Sequence, residues 1–388
     1  KDLNPKGMKF FTFHAGFKKK NYDLLIIIFD KILNVACKYS RTSMPSAPII
    51  WDKKNNKGNC KALIVNSGNA NAHTGKRGIQ NIDKYVKALS VFLSCTQKEI
   101  LVSSTGVIGE QIKPDLISNK IKLLPISNNK TLVDAARSVW TTDTFVKTSI
   151  NNFKIDNQNI KIYGVAKGSG MISPNMGTML SYIFVDCEIS SKLLKKLLSD
   201  NLEETFNSIS VDSDTSTSDT IMLFSNPLKK INVRKNYSKL SKGLNKVMKE
   251  LSMMIISDGE GIKKLIKVNV LKAKTKTQAR KIGFSIINSP LVKTAIAGED
   301  ANWGRIVMAI GKTNEKIIQN KITIKFGDTL LANNGERNKN INIPKIDKYM
   351  KNQIIEIEVS LGLGSALSTV YGNDLNNEYI RINADYRS

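Results

Sequence analysis

The chain has 388 residues, of which 41% are hydrophobic and 24% are charged. This composition supports a sizeable buried core and excludes intrinsic disorder as the main state, and the length is typical of about two or three domains. Basic residues outnumber acidic ones by 59 to 33, but there are only two histidines and four scattered cysteines. That inventory excludes a metal centre built on several histidines, a zinc ribbon and a thioredoxin-type motif.

The longest apolar run, Leu24–Phe29, is far shorter than the about 20 residues that a membrane-spanning helix needs. We interpret it as a buried strand and expect no membrane partner. Scattered cysteines without a disulfide framework indicate a reducing, cytoplasmic compartment. The net charge of +26 comes from lysines spread along the whole chain among many isoleucines and asparagines, as AT-rich coding produces. We therefore expect no specific nucleic-acid partner, only weak, salt-sensitive adhesion to polyanions.

Hydrophobic periodicity predicts alternating strands and helices, and therefore a mixed α/β protein. Strands are predicted at 24–29, 61–65, 100–103, 160–166, 179–185, 265–270 and 354–359, and helices at 76–93, 132–140, 193–206 and 240–256. A tight polar turn is predicted at 66–71. Glycine and small polar residues concentrate in a few loops, and these loops carry the functional signal.

A glycine-rich loop, Lys167–Thr178, runs directly into an apolar strand. It is typical of an ordinary turn, but it also places a threonine at the head of a strand after a glycine that tolerates strained geometry. Cleavage of the Gly177–Thr178 bond would free an α-amine with a pKa of about 7.7–8.0, which can act as a base on the threonine's own hydroxyl. The loop alone leaves both interpretations open.

A second loop begins where the strand predicted at 100–103 ends in Ser104-Thr105-Gly106. Thr105 and Gly106 offer a hydroxyl and a backbone N–H in close register. Such a pair can stabilise the oxyanion of a tetrahedral intermediate. An ordinary strand end followed by a turn is the simpler interpretation of this motif taken alone.

Three further polar loops have structural as well as functional explanations. Val211–Thr220 alternates aspartates with hydroxyl residues but lacks the glycine and glutamate of an EF-hand, which favours a hydrogen-bonded turn between two strands over a metal site. Asp258–Gly261 fits either a capped helix end or a carboxylate facing a cationic ligand. Gly298–Arg305 fits either a polar network or a substrate pocket.

Four of these five loops, all but Gly298–Arg305, contribute to a set of nine motifs that extend over nearly the whole chain. They are Asn66–Ala72, Ser104–Gly109, Ala166–Ile172, Pro174–Met176, Thr178–Leu180, Asp214–Thr217, Asp258–Gly261, Ser289–Ala295 and Tyr379–Tyr386. In order and spacing, the chain resembles the glutamate N-acetyltransferase family of arginine biosynthesis, also called ornithine acetyltransferase. One such motif would be weak evidence, but nine in the right order are hard to obtain by chance.

The resemblance implies a fold and a maturation step. The implied fold is a self-cleaving α/β/β/α sandwich of the N-terminal-nucleophile, DmpA-like kind, with a smaller C-terminal α/β subdomain at about 280–388. Cleavage at Gly177–Thr178 would give an α chain of residues 1–177 and a β chain of residues 178–388. The two chains would stay together in an (αβ)2 heterotetramer.

The resemblance also implies a reaction. The enzyme would move an acetyl group from N2-acetylornithine to glutamate, giving ornithine and N-acetylglutamate, by a ping-pong mechanism through an acetyl-Thr178 enzyme. Some family members also use acetyl-CoA to acetylate glutamate, and no motif in this chain decides that point. No metal and no tightly bound cofactor are implied.

Individual residues take roles from the same resemblance. Thr178 is the expected nucleophile, and Thr105 with Gly106 is the expected oxyanion pair. The expected substrate-binding positions are Thr141, Lys167, Thr178, Glu260, Asn383 and Ser388. From their charges, we expect Lys167 to neutralise a substrate carboxylate and Glu260 to receive the side-chain ammonium of ornithine.

Several positions depart from the family pattern. Gly177 replaces the usual alanine before the nucleophile and should still permit cleavage. His73 replaces a cysteine, which indicates that this position is not catalytic. Leu363, Ser365 and Ser388 replace arginine, aspartate and threonine near the C-terminus, so the substrate contacts implied there depart from the family pattern.

Two other function classes remain open on the residues alone. A self-cleaving amidohydrolase or aminopeptidase would share the N-terminal nucleophile but should lack Lys167 and the Glu260 loop. A polyanion-binding protein would use the charge of +26 and would show an affinity that falls steeply with salt, without self-cleavage.

Overall fold

The computed structural model describes residues 4–173 and 179–384, and these form a mixed α/β structure, so the predicted class is confirmed. The chain divides into two compact units. Of the described residues, the first unit takes 4–168, 179–207 and 215–255, and the smaller second unit takes 169–173, 208–214 and 256–384. Each unit has its own sheet.

The sheet of the first unit has eight strands within the described ranges. They are β1 (Met8–Phe13), β2 (Leu24–Tyr39), β3 (Asn59–Asn69), β4 (Ile100–Val107), β5 (Lys147–Ile155), β6 (Gln158–Lys167), β7 (Leu180–Val185) and β8 (Thr220–Ser225). Their order is β4-β3-β2-β8-β7-β6-β5, with β1 paired to β2. The pairs β3–β4 and β7–β8 are parallel, and the other pairs are antiparallel.

Helices cover both faces of this sheet. They are α1 (Ala47–Asn55), α2 (Gly75–Leu93), α3 (Pro114–Ile121), α4 (Leu132–Ser138), α5 (Ser191–Leu202) and α6 (Tyr237–Ile256). Along β3, Leu63 and Val65 enter a core with α4, while Ala62 and Ile64 enter a second core with α1, α2 and α3. A strand that is buried on both faces needs apolar residues at successive positions. This is why β2 begins with an unbroken apolar run, 24–29, and why β3 contains one, 62–65.

The second unit is built on a six-stranded sheet, counted over its described residues. Its strands are β9 (Leu265–Ala273), β10 (Thr323–Phe326), β11 (Thr329–Asn333), β12 (Glu336–Arg337), β13 (Ile354–Ser360) and β14 (Ala366–Asn373), in the order β12-β11-β10-β13-β9-β14. The helices are α7 (Lys276–Ile287), α8 (Pro290–Ala297), α9 (Trp303–Gly311), α10 (Ile343–Met350) and α11 (Asn377–Ala384). Alternate residues of β9 and β13, such as Val268 and Ile357, form its core with α7.

The predicted helix at 76–93 is confirmed as α2, but several other element bounds were wrong. The strand predicted at 100–103 continues as β4 to Val107, and the helix predicted at 132–140 ends at Ser138. The strand predicted at 24–29 continues as β2 to Tyr39, and the helix predicted at 193–206 ends at Leu202. The polar stretch from Asn66 to Asn69 is strand rather than turn. It stays in the ladder because its buried side chains find partners: the Asn66 amide donates to the Asn69 carbonyl at 2.8 Å, and the Ser67 hydroxyl donates to the Ser138 carbonyl at 2.8 Å.

No helix within residues 4–173 and 179–384 is both long enough and apolar enough to cross a membrane.

Candidate active site

The oxyanion pair predicted from the sequence lies at the end of β4, where β4 runs parallel to β3. Ser67 is paired with Thr105, and Gly68 with Gly106. Thr105 is 3% exposed. Gly106 has a φ of +130°, and a Cβ built on it would lie 2.3 Å from the carbonyl carbon of Gly68. Only glycine fits this position, because any other residue would be strained and would collide with the backbone of β3.

The ammonium group of Lys167 connects two of the predicted site residues. Lys167 ends β6 and is 2% exposed. Its Nζ donates to Thr105 Oγ1 at 3.1 Å and to Thr141 Oγ1 at 2.9 Å. Because each hydroxyl oxygen accepts a hydrogen bond from the ammonium, each hydroxyl hydrogen is left to donate elsewhere. The first unit thus brings the hydroxyl groups of Thr105 and Thr141 together around the ammonium group of Lys167.

Asp143 fixes the backbone on which this cluster depends. Its carboxylate accepts the N–H of Thr141 at 3.1 Å and that of Gly168 at 2.8 Å, and it pairs with Lys147 Nζ at 2.6 Å. The side chains of Asp143 and Lys147 are both 0% exposed. Burial acts to raise the pKa of Asp143, but the charges of Lys167 and Lys147 and the hydrogen bonds from Gly168 and Lys147 together outweigh burial and hold this pKa below its usual value. The carboxylate therefore stays ionised beside the two lysines.

Replacing Lys147 by methionine should destabilise the first unit, because it leaves the buried Asp143 carboxylate with one counter-charge fewer. We expect the free energy of unfolding to fall by roughly 3–5 kcal/mol, as when one partner of a buried ion pair is removed. Urea denaturation at neutral pH measures the change. Lys154→Met is the matched control on the same strand, where the side chain is exposed and the expected change is within about 0.5 kcal/mol. Similar losses for both variants would contradict the assigned role of the pair.

The stabilisation from Asp143 has a defined pH dependence. Because the pKa of Asp143 is lower in the folded chain than the usual aspartate value, its contribution is complete above that usual value. It is lost as the pH falls through the lower, folded pKa.

Lys18 adds a second ammonium group near the cluster. Its Nζ donates to the carbonyl oxygens of Trp140 and Tyr22, each at 2.9 Å. The pKa of Lys18 is lowered to about 8, mainly by burial; the carboxylate of Asp23 opposes this shift and the charge of Lys167 adds to it. Two ammonium groups in this corner of the first unit suit a ligand that carries a carboxylate.

Asp219 fixes the described backbone that leads into β7. It is 0% exposed, and its Oδ1 accepts the N–H of Met179 at 3.0 Å. The Thr220 N–H donates to the Met179 carbonyl at 3.0 Å, so Met179 is held at both its backbone polar groups. Burial raises the pKa of Asp219 well above its usual value, while the Met179 N–H and the charge of Lys167 act to lower it.

In the second unit, Glu260 and Asn383 are brought into contact as the sequence analysis grouped them. Asn383, on α11, donates through Nδ2 to Glu260 Oε2 at 2.9 Å. The Glu260 N–H donates to the Ser169 carbonyl at 3.0 Å. A Cβ built on Gly170 would lie 2.3 Å from Glu260 Oε2, so the glycine at 170 gives room for this carboxylate.

Asp212, in the loop Val211–Thr220, anchors the backbone of a second loop at Met171 and Ile172. Its carboxylate accepts the N–H of Met171 at 2.7 Å and that of Ile172 at 2.9 Å. Burial raises the pKa of Asp212, and these N–H groups act to lower it. The predicted hydrogen-bonded loop is confirmed, although it follows a 3-10 helix, Phe206–Ser208, rather than a strand.

Lys293 is a buried cation that supports the same loop. It is 4% exposed, and its Nζ donates to the carbonyl oxygens of Val211 at 2.8 Å and Asn373 at 2.5 Å. Burial lowers its pKa to about 8, opposed by the charges of Asp212 and Asp374. Lys293 therefore holds the residue directly before Asp212.

The Gly298–Arg305 loop forms a polar network at the start of α9. The Asn302 side chain accepts the Arg305 N–H at 3.3 Å and donates to Asp300 Oδ2 at 3.0 Å. Arg305 Nη1 donates to the Leu291 carbonyl at 2.5 Å. These contacts explain the concentration of polar residues as helix capping and loop anchoring.

Residues 9–388 match the model of the ArgJ family. The chain belongs to the ArgJ family. Membership confirms the resemblance inferred from the nine motifs, and with it the prediction of an acyltransferase of arginine biosynthesis.

Curated relatives in the ArgJ family match nearly the full length of this chain. The arginine biosynthesis bifunctional protein ArgJ of Bartonella henselae is 44% identical over 390 residues, which cover 98% of this chain and 95% of the relative. The protein of the same name from Mesorhizobium japonicum is 41% identical over 394 residues, covering 99% and 95%. Among solved structures, the Bacillus halodurans ArgJ protein is 34% identical, with a TM-score of 0.49 over 53% of this chain and 99% of that chain.

Three residues assigned from the family resemblance lie outside the described residues: Gly177, Thr178 and Ser388. Their roles stay predictions, as do those of the described residues. Nowhere in the described part of the chain do three or more His, Cys, Asp or Glu side chains group closely enough to hold a metal ion.

The sequence analysis of this ArgJ-family chain missed Asp143, Lys18 and Asp219 as site-forming residues. Asp143 was visible inside Thr141-Thr142-Asp143-Thr144, where a single acid among hydroxyl residues is a signal for backbone anchoring. Lys18 was hidden in the run Lys18-Lys19-Lys20, whose charge reflects the general basicity of the chain.

Proposed function

We propose that this chain transfers an acetyl group from N2-acetylornithine to glutamate through an acetyl-Thr178 enzyme. The observation that carries the proposal is the Lys167 ammonium, which is 2% exposed and donates to the hydroxyls of both Thr105 and Thr141. A buried cation beside two hydroxyls whose hydrogens are left to donate is suited to a carboxylate-bearing substrate and to an oxyanion. The ArgJ relatives, named as bifunctional proteins of arginine biosynthesis, support the same reaction.

In this proposal the chain first cleaves itself before Thr178. The Thr178 hydroxyl attacks the Gly177 carbonyl carbon, the bond from that carbon to the Thr178 nitrogen breaks, and the nitrogen takes up the hydroxyl proton. Water then hydrolyses the resulting ester and releases Gly177 as a carboxylate. The α chain is then 1–177 and the β chain 178–388. The new α-amine, with a pKa of about 7.7–8.0, is available as a base near neutral pH.

The first half of the transfer uses that amine and the oxyanion pair. The Thr178 hydroxyl gives its proton to the α-amine and attacks the acetyl carbonyl of acetylornithine. The Thr105 hydroxyl and the Gly106 N–H donate to the oxyanion that forms. The C–N bond then breaks, the leaving nitrogen takes the proton from the α-ammonium, and ornithine departs.

The second half returns the enzyme to its free state. The glutamate α-amine attacks the ester carbonyl carbon, the bond to Thr178 Oγ breaks, and Oγ recovers a proton that the attacking nitrogen loses. N-acetylglutamate leaves. One site can serve both halves, because donor and acceptor share an α-carboxylate next to the reacting nitrogen.

Charge complementarity assigns the substrate contacts. Lys167 takes the α-carboxylate common to both substrates, helped by the Thr141 hydroxyl. Glu260 takes the side-chain ammonium of ornithine, and Asn383 orients the Glu260 carboxylate through its 2.9 Å hydrogen bond. Ser388 supplies a further hydroxyl to the substrate.

The proposal has three further parts. Acetyl-CoA serves as a second acetyl donor to glutamate, as the word bifunctional in the relatives' names suggests. The α and β chains assemble as an (αβ)2 heterotetramer. The reaction takes place in the cytoplasm, without a metal or a tightly bound cofactor.

Initial-rate kinetics tests the reaction. With N2-acetylornithine and glutamate both varied, a covalent acetyl-enzyme predicts parallel double-reciprocal lines. It also predicts exchange of labelled ornithine into acetylornithine when glutamate is absent. Intersecting lines without that exchange would contradict the acetyl-Thr178 route, and release of free acetate at the same rate with or without glutamate would favour an amidohydrolase. Replacing acetylornithine by acetyl-CoA tests the second donor.

A further inference from the structure

Lys18 is a basic side chain of the first unit to which the proposed function gives no role. It is half-buried, whereas Lys19 and Lys20 beside it are exposed. Its Nζ donates to the carbonyl oxygens of Trp140 and Tyr22, each at 2.9 Å. These bonds use two of the three ammonium hydrogens and leave the third for a further acceptor.

The loop that carries Lys18 is fixed by one buried carboxylate. Asp23 is 0% exposed, and it accepts the backbone N–H groups of Ala15, Gly16, Phe17 and Lys18 at distances between 2.5 and 3.0 Å. The backbone therefore holds Lys18 in place, and its two carbonyl partners hold its ammonium group. A lysine bound in this way has already lost the side-chain freedom that a surface lysine would lose on binding a ligand.

The same loop lies against the end of β3. A Cβ built on Gly68 would lie 2.7 Å from the Phe17 carbonyl oxygen and 3.0 Å from Lys18 Cγ. Gly68 is paired with Gly106, the proposed oxyanion donor. The stem of Lys18 therefore lies beside the strand ends that carry the oxyanion pair.

The Trp140 carbonyl belongs to the peptide group that directly precedes Thr141. Lys18 thus holds the carbonyl of this peptide group, and Asp143 Oδ2 accepts its N–H, that of Thr141, at 3.1 Å. Thr141 Oγ1 accepts a hydrogen bond from Lys167 Nζ at 2.9 Å. Two ammonium groups therefore meet at Thr141, that of Lys18 at the preceding peptide group and that of Lys167 at the hydroxyl.

The charges around Lys18 favour an anionic ligand. Burial lowers the pKa of Lys18 to about 8, the charges of Asp23 and Asp143 oppose this shift, and the charge of Lys167 adds to it. Both carboxylates are already engaged, Asp143 with Lys147 and Asp23 with four backbone N–H groups. A substrate carboxylate near both Lys18 and Lys167 would offset the repulsion between the two ammonium groups.

We propose that Lys18 is a specificity-determining residue for the α-carboxylate of both substrates: its ammonium group holds the peptide before Thr141 and, together with Lys167, binds that carboxylate. The inference rests on the proposed function, in which donor and acceptor both present this group. The ligand class is an α-amino acid with a free α-carboxylate. A substrate whose α-carboxylate is replaced by an amide loses the contact with Lys18.

The test compares glutamate with glutamate α-amide as acetyl acceptors, with N2-acetylornithine as donor and the full, self-cleaved chain as enzyme. Lys18→Met removes the ammonium group, and the Asp23 contacts remain because they use backbone N–H groups. We expect kcat/KM for glutamate to fall roughly 10- to 100-fold, mainly through KM, as for a lost hydrogen bond to a charged group. For the α-amide, kcat/KM should stay within about threefold of wild type.

Lys19→Met is the matched control. Lys19 is the next residue along the chain and is exposed, so this variant loses the same charge from the same loop. Both acceptors should react within about twofold of wild type. A comparable loss with glutamate in Lys19→Met would reduce the effect to the general positive charge of the chain and overturn the inference.

The remaining outcomes are also decisive. Equal losses for both acceptors in Lys18→Met would mean that Lys18 acts only by holding the peptide before Thr141, and an unchanged kcat/KM for glutamate would remove its role altogether; either result overturns the inference. If the α-amide gives no product with any chain, the KM for glutamate decides: a tenfold rise with kcat retained supports the inference, and an unchanged value overturns it. In all these cases acetyl transfer by the wild type still stands for the proposed function. A wild type that transfers no acetyl group to glutamate would overturn the proposed function together with this inference.

Discussion

The Thr178→Ala chain is expected to stay a single species of 43.1 kDa, whereas the native sequence should mature into fragments of roughly 20 and roughly 23 kDa, in proportion to residues 1–177 and 178–388. Alanine removes the hydroxyl that attacks the Gly177 carbonyl, so neither the ester nor the free α-amine can form. Acetyl transfer should fall by at least about a thousandfold, because nucleophile and base are lost together. Denaturing mass spectrometry and N-terminal sequencing of the smaller and larger fragments measure the cleavage.

Thr178→Ser is the matched control for that experiment. Serine keeps the hydroxyl and the α-amine and loses only a methyl group, so this chain should still cleave at the same bond, more slowly, and should transfer acetyl groups. If the native chain matured but began at another residue, the nucleophile would have to be reassigned. If neither the native nor the Thr178→Ser chain matured, this protein would be inactive or would work by another route.

The sequence predicted the members of the site, because each of them belongs to a recognisable motif, but it did not predict that one ammonium group joins them. Thr105, Thr141 and Lys167 come from three distant motifs, and the structure joins them through a single ammonium group. The family resemblance assigned these three residues to one site, whereas the residue types and their spacing alone did not. Periodicity marks which side chains face a core, and it carries no information on which strand ends meet in space.

The residues that support the site were not predictable in the same way. From composition alone, every lysine is expected to lie at the surface. Lys147 and Lys167 are nevertheless buried, at 0% and 2% exposure, because Asp143 compensates their charge. Whether a lysine is buried depends on a carboxylate that the fold brings near it. Net charge and local pattern do not contain that pairing.

The end of β3 shows why element bounds were missed. Asn66 to Asn69 reads as a turn, since asparagine, serine and glycine favour turns. In the structure the Asn66 side chain accepts the Ser104 hydroxyl at 2.6 Å across the β3–β4 pair, so a partner strand satisfies the polar groups that would otherwise favour a loop. Tertiary pairing therefore overrides the local preference at the place where the oxyanion pair lies.

Gly106→Ala is expected to be the most damaging single methyl addition in the oxyanion motif. The new Cβ would lie 2.3 Å from the carbonyl carbon of Gly68 and 2.6 Å from the nitrogen of Asn69, both backbone atoms of β3, at a φ of +130°. Backbone cannot move aside as a flexible side chain can, so the ends of β3 and β4 must separate. We expect the free energy of unfolding to fall by roughly 3 kcal/mol or more. Acetyl transfer should fall by about a hundredfold, since Thr105 and the Gly106 N–H move with the strand.

Gly109→Ala is the control that carries backbone strain without a collision. Gly109 lies in the same motif with a φ of +90°, and nothing lies within 4 Å of a Cβ built on it. Its cost should be limited to the left-handed conformation, about 1 kcal/mol, and cleavage and acetyl transfer should be nearly unchanged. Urea denaturation and the transfer assay on both variants give the comparison. A large loss for Gly106→Ala beside a small one for Gly109→Ala ties stability and turnover to the close approach of β3 and β4. Equal losses would mean that glycine is needed at 106 only for its φ, and that the close pairing of the two strands does not position the oxyanion pair.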